Sequence, residues 1–172
     1  MARADPLTEV RLSLYDRDFG LWLEQQAALL RTGQFDQLDV ANLLEEIESM
    51  GRKDKRAVKS NLVIVLLHLL KHEVQSKRRS RSWLDSILEH RHRLRDDLEE
   101  SPSLRAHLEA VFPQAYADAR ARAITQTGLA ERAFPQTSPY TLDQALDPDF
   151  LPTERRQARP RNHRQVVAPG RR

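Results

Sequence analysis

Residues 42–74 read NLLEEIESMGRKDKRAVKSNLVIVLLHLLKHEV, and this stretch decides the fold. From Leu62 to Leu70 every residue except His68 is apolar. A helix that is apolar on all sides has to be enclosed by other helices or by lipid. The run is far shorter than the roughly 18 apolar residues a spanning helix needs, so a protein interior is expected and no membrane. The first half is acidic, with Leu43, Leu44 and Ile47 on one face and Glu45, Glu46 and Glu48 elsewhere around the wheel. Gly51 marks the join. Glycine inside a helix costs about 1 kcal/mol relative to alanine. With no proline or turn dipeptide nearby, near-continuity across Gly51 is the expectation.

On the N-terminal side, Tyr15, Phe19, Trp22, Leu23, Leu29 and Leu30 recur at helical spacing, which predicts a helix over Asp16–Thr32 with its aromatics as core anchors. Gly33 supplies the stop and Asp39 the next N-cap. On the C-terminal side, Ser82 and Asp85 form a capping-box pattern for a helix reaching about Glu99, with Trp83, Leu84, Ile87, Leu88, Leu94 and Leu98 inward. Ser101-Pro102 reads as N-cap and first residue of the following helix. Its face is Leu104, Leu108, Val111, Ala115, Tyr116, Ala119 and Ala123; Pro113 should kink or break it, and Gly128 ends it. Four prolines between residues 135 and 152 leave room for one short helix capped by Thr141 and Gln144, in a strap pinned by Phe134, Tyr140, Leu142, Leu146, Phe150 and Leu151.

The fold class that follows is all-α: a compact bundle of four to five helices around a long central helix pair, then a proline-rich strap and a disordered basic tail. A chain of 172 residues with 40% apolar composition can fill one such core. β-Branched and aromatic alternation of the kind strands need is missing. The expected divisions are a flexible leader at 1–14, a single helical domain at 15–152 and an Arg-rich tail at 153–172. That tail holds seven Arg against one Glu, a charge of +6, so the net +3 of the whole chain leaves −3 for the first 152 residues. With no cysteine, disulfides and thiolate chemistry are excluded. Together with a start that shows no apolar signal segment, this points to a cytoplasmic protein.

Several words in one order carry a family resemblance. They are Tyr15-Asp16-Arg17-Asp18-Phe19 with Trp22, Asn42-Leu43-Leu44-Glu45-Glu46-Ile47-Glu48, Leu67-His68-Leu69-Leu70-Lys71 and Arg79-Ser80-Arg81-Ser82-Trp83. Ser101-Pro102-Ser103-Leu104, Tyr116, Ala119-Arg120, Thr127-Gly128-Leu129, Phe134-Pro135, Pro139-Tyr140-Thr141 and Asp149-Phe150-Leu151-Pro152 follow. The chain resembles, over residues 15–152, a bacterial family known as domain of unknown function family twenty-nine. The resemblance implies an all-helical fold and carries no established activity. His72 stands where the family pattern often has an aromatic.

Three constellations bear on function. Glu45 and Glu48, with His68, are the candidate catalytic groups, since two acids near a buried imidazole suit acid–base work. A structural His68 and solvated glutamates are the plainer reading. Lys71, Lys77, Arg78, Arg79 and Arg81 are the candidate nucleic-acid or partner-binding groups, because clustered cations bind phosphate or an acidic surface. His68 and His72 share a helix face, and Glu89 with His92 makes a Glu-x-x-His pair, but no second such pair exists, so neither a metal site nor a cofactor is expected. The leading expectation is a non-enzymatic macromolecule-binding or regulatory module, with a protein partner or self-association. The alternative is a nucleic-acid-binding or nucleic-acid-processing, hydrolytic enzyme that uses the acidic, His68 and Arg79–Arg81 groups. Nucleic acid could be met through Lys71–Arg81 or through the tail.

Overall fold

In the computed structural model, which describes residues 13–153, the protein is all-α and no strand occurs among those residues. The helices are α1 (Leu14–Arg17), α2 (Phe19–Thr32), α3 (Val40–Val74), α4 (Arg81–Glu100), α5 (Leu104–Thr127) and α6 (Leu142–Leu146), with single 3-10 turns at Phe35–Gln37, Ser76–Arg78 and Glu131–Ala133. The tail after Thr153 and nearly all of the leader lie outside the described residues. The chain falls into two compact units, residues 1–53 and 54–172, and the boundary lies inside the expected 15–152 domain.

The first unit holds α1, α2 and the start of α3. The helix expected over Asp16–Thr32 is split at Asp18, whose backbone (φ −151°, ψ 87°) is not helical. Ser13 and Asp16 close a capping box on α1, and Asp18 accepts from the Leu21 N–H at 3.0 Å to start α2. A four-residue helix is favoured here because side chains satisfy its start and the start of the next helix, and the Asp18 backbone N–H closes its end by donating to the Leu14 carbonyl at 2.9 Å. Gly33, at φ +72°, ends α2 in the left-handed conformation that glycine adopts without strain. Asp39 caps α3 as expected, accepting from Asn42 N–H at 3.3 Å and from Asn42 Nδ2 at 2.7 Å. Helix α3 runs unbroken through Gly51.

The second unit carries the core. Leu62, Val63, Val65, Leu66, Leu67, Leu69 and Leu70 are buried over a little more than half of the circumference of α3, while Asn61, Ile64 and His68 on the remaining side are half-buried, so the enclosure expected on every side is incomplete. Ile87 and Leu94 of α4 join them, with Leu104, Leu108, Ala115, Tyr116, Ala119 and Ala123 of α5. The alanines four apart present a smooth ridge that lets another helix approach closely. Three expectations need correction. Helix α4 begins at Arg81 with Ser80 at its N-cap, and the Ser82 hydroxyl meets that of Ser80 at 2.9 Å instead of capping. Ser101-Pro102 forms a turn before α5, whose N-cap is Ser103. Pro113 lies inside α5 without breaking it; it and Glu109, the residue four before it, whose carbonyl a proline cannot serve, are both on the exposed side of the helix. Gly128, at φ +67°, ends α5.

Residues 129–152 cross this unit as the expected strap. Thr141 and Gln144 form a reciprocal capping box on α6, and Phe134, Tyr140 and Leu142 are buried. Leu151, expected to pin the strap, is instead exposed. The Tyr116 hydroxyl donates to the Pro135 carbonyl at 2.8 Å, and the Arg120 guanidinium donates to the carbonyls of Phe134 and Glu131.

Candidate functional site

The first unit is built the wrong way round for a self-contained hairpin. The side of α3 turned toward α1 and α2 is polar. Tyr15 donates from its hydroxyl to Glu46 Oε1 at 2.6 Å, Trp22 Nε1 donates to Asp39 Oδ2 at 3.1 Å, and the Asp39 N–H donates to Gln26 Oε1 at 2.8 Å. These bonds set the electrostatics: donation to Glu46 raises the Tyr15 pKa, and the Asn42 amide holds Asp39 below the usual carboxylate range. Trp22 packs edge-on to Tyr15, 4.9 Å between centroids, and is the single buried apolar side chain among residues 13–53. Asn42, Glu46 and Ser49, all half-buried, share one side of α3.

The opposite side is apolar and open. Val40, Leu44 and Ile47 are 63%, 55% and 65% exposed, and Met50 beside them is 62% exposed. Gly51 continues the row with nothing within 4 Å of where a Cβ would stand. Phe19, Leu21, Leu23, Leu30 and Phe35 are also exposed. Of the three aromatics expected as core anchors of the first helix, Trp22 is buried, Tyr15 half-buried and Phe19 exposed. Nine of the eleven large apolar side chains exposed among the described residues lie in this unit, and isolated exposed leucines would not need explanation but a run of this size does.

The sequence candidates are dispersed. Glu45 and Glu48 both engage Arg52, at 2.6 and 3.3 Å, in the first unit. His68 belongs to the second unit, half-buried, with its ring 6.4 Å from that of Trp83. Burial, then Lys71 and His90, push the His68 pKa down to about 4, so the imidazole is neutral near pH 7. His68 Nδ1 and His72 Nδ1 are buried without a hydrogen-bond partner. His72 is lowered by burial and by Arg79, against a hydrogen bond to the Pro152 backbone that raises it. His90 Nδ1 lies 2.8 Å from Asn61 Oδ1 and is likewise lowered by burial. Among the described residues no three His, Asp or Glu side chains gather as metal ligands would.

The basic cluster divides in two. Lys71 is 9% exposed, donates to Gln126 Oε1 at 2.9 Å and stands 4.5 Å from the centre of the Trp83 ring, so it serves the interior. Arg79 donates from Nε to the His72 carbonyl at 2.9 Å, closing the last turn of α3 where a cation also suits the helix dipole. Lys77, Arg78 and Arg81 are exposed.

Arg91 was not singled out by sequence reasoning. It is 4% exposed and donates to the carbonyls of Gln144, Ala145, Pro148 and Phe150 at 2.9–3.2 Å, tying the strap to α4. The signal was present: Leu84, Ile87, Arg91, Leu94 and Leu98 are spaced 3, 4, 3 and 4, so Arg91 occupies an interior position. Leu88, expected inward, is exposed and lines a cleft of about 690 Å³ together with Leu98, Leu146 and Pro148. Arg95 and Arg105 edge that cleft, and Arg105 is paired with Asp143.

No helix among the described residues is long and apolar enough to cross a membrane. No match is found among curated proteins or among solved structures. The family model described as Domain of unknown function DUF29 matches residues 14–151, and the chain belongs to that family.

Proposed function

We propose that this chain is a non-enzymatic, cytoplasmic macromolecule-binding module, and that the apolar side of residues 19–51 is the surface that meets a protein bearing a complementary apolar helix. One observation carries the reading: nine of the eleven large apolar side chains exposed among the described residues are in the smaller unit, and four of them, Val40, Leu44, Ile47 and Met50, lie on a helix whose side toward α1 and α2 is polar. Burying such a surface against a partner gains roughly 25 cal/mol per Å² of apolar area. Glu45 and Glu48, the candidate catalytic pair, both engage the exposed Arg52 in a surface ion-pair cluster, an arrangement that needs no catalytic role.

A photo-activated cross-linking side chain placed at Ile47 in the producing cell tests this. Protein adducts are expected from Ile47 and not from the same group placed at the exposed Arg93. Equal yields from the two positions, or none from Ile47, would remove the support. A second reading, nucleic-acid binding, is favoured only by the exposure of Lys77, Arg78 and Arg81. It predicts that Arg78→Ala and Arg81→Ala each flatten the salt dependence of DNA or RNA binding.

A further inference from the structure

We infer that the partner for the apolar row on α3 is a second copy of this chain, packed antiparallel against it about a two-fold axis between residues 45 and 46. The inference rests on the protein-binding reading above and adds the identity of the partner and its direction.

The spacing comes first. Val40, Leu44, Ile47 and Gly51 follow one another at intervals of 4, 3 and 4 residues. At 100° per residue these four positions fall within about 60° of the helix circumference. That gathers them into one narrow stripe, the arrangement by which a helix packs side chains along a seam with another helix.

Gly51 supplies the second observation. It is a mid-helix glycine with no positive φ, no turn and open space above it within the protomer. Nothing in its own chain requires the missing side chain, yet glycine there weakens the helix by about 1 kcal/mol. A close-packed partner side chain would account for it. With the axis between residues 45 and 46, Val40 of one copy stands at the level of Gly51 of the other, and Leu44 stands at the level of Ile47. Bulk meets gap at both ends, and the two largest side chains meet in the middle. A parallel pairing in register would instead set Gly51 against Gly51 and leave a void, which packed interfaces avoid.

Ile47, Leu44 and Val40 would be the anchors, since fully desolvated apolar side chains at the centre of an interface carry most of its energy.

The chain has no cysteine, which makes a directional test clean. Full-length Val40→Cys and Gly51→Cys chains are prepared separately and oxidised alone and as a mixture. Within one helix these positions are about 16 Å apart, so no disulfide can form inside a copy. A covalent dimer is expected from the mixture and not from either variant alone. Covalent dimer from either variant alone would mean a parallel or different pairing, and a chain that stays monomeric in all three samples would mean no self-association; either result overturns the inference. Gly51→Leu guards against misfolding as an explanation. It should abolish the dimer in sedimentation while leaving far-ultraviolet circular dichroism intact, because its side chain meets nothing in the protomer. A Gly51→Leu chain that remains dimeric contradicts the proposed packing. Adducts from Ile47 to a foreign protein, with none to a second copy, would reject this inference and leave the protein-binding reading standing.

Discussion

Twenty apolar side chains are buried in the unit that follows Lys53, and one, Trp22, in the described part of the unit that ends there. The second unit is organised by apolar area: α3 is buried over most of its circumference from Leu62 to Leu70, and the polar groups Lys71 and Arg91 that enter the interior are each matched by hydrogen bonds. The first is organised by hydrogen bonds, with Asp39 serving Trp22, Asn42 and the helix start together, while Leu21, Leu23, Leu30 and Leu44 are exposed. A net hydrogen bond contributes about 1 kcal/mol, and burying a leucine two to three times that. The apolar burial among the described residues thus belongs almost wholly to one unit, and most of the exposed large apolar side chains to the other.

That contrast can be broken at graded cost. The largest effect should come from Arg91→Met, which strands four strap carbonyls around an apolar side chain; a loss of about 3 kcal/mol or more in urea unfolding is expected, with strap residues 129–152 becoming sensitive to protease. Leu66→Ala should cost about 3 kcal/mol through the cavity it leaves, whereas Leu44→Ala, the same truncation on the open side of α3, should change the stability of a dilute monomer by less than about 0.5 kcal/mol. If the two truncations cost the same, the units are not different in kind. Gly51→Ala should raise monomer stability by about 1 kcal/mol, since alanine is the better helix former and meets nothing there.

The mildest lever is acid. His68, His72 and His90 all have folded-state values below the ordinary 6.5, His68 at about 4. The unfolded chain therefore takes up protons first as pH falls, so the stability these groups contribute is fully present above about pH 6.5 and is lost on the way down toward pH 4. Thermal unfolding midpoints should fall through that window, and His68→Gln should shrink the fall. A midpoint that rises between pH 6.5 and 4 would contradict the burial of these rings.

Much of this was legible in the sequence where a residue had one good option. The apolar run of α3, the glycine stops at Gly33 and Gly128, the Asp39 cap and the Thr141–Gln144 box each left no competitor. Errors arose where two neighbours could do the same job. Ser80, Ser82, Ser101 and Ser103 are all fair N-caps, and the helices start after Ser80 and Ser103 with neither hydroxyl capping. Leu88 and Arg91 competed for the inside of α4. The guanidinium won because the strap brings four carbonyls to it from more than fifty residues away, a distance no local pattern reports. Phe19, Leu23 and Leu30 have helical periodicity, but periodicity only groups side chains on a face. It does not say whether that face meets its own chain or another, and here most of it is left exposed.

Hydrogen exchange as a function of protein concentration tests that division most directly. Amides over residues 43–51 should exchange quickly in dilute samples and slow markedly as concentration rises, while those over residues 62–70 should be strongly protected at every concentration. Equal, concentration-independent protection of the two segments would contradict the account.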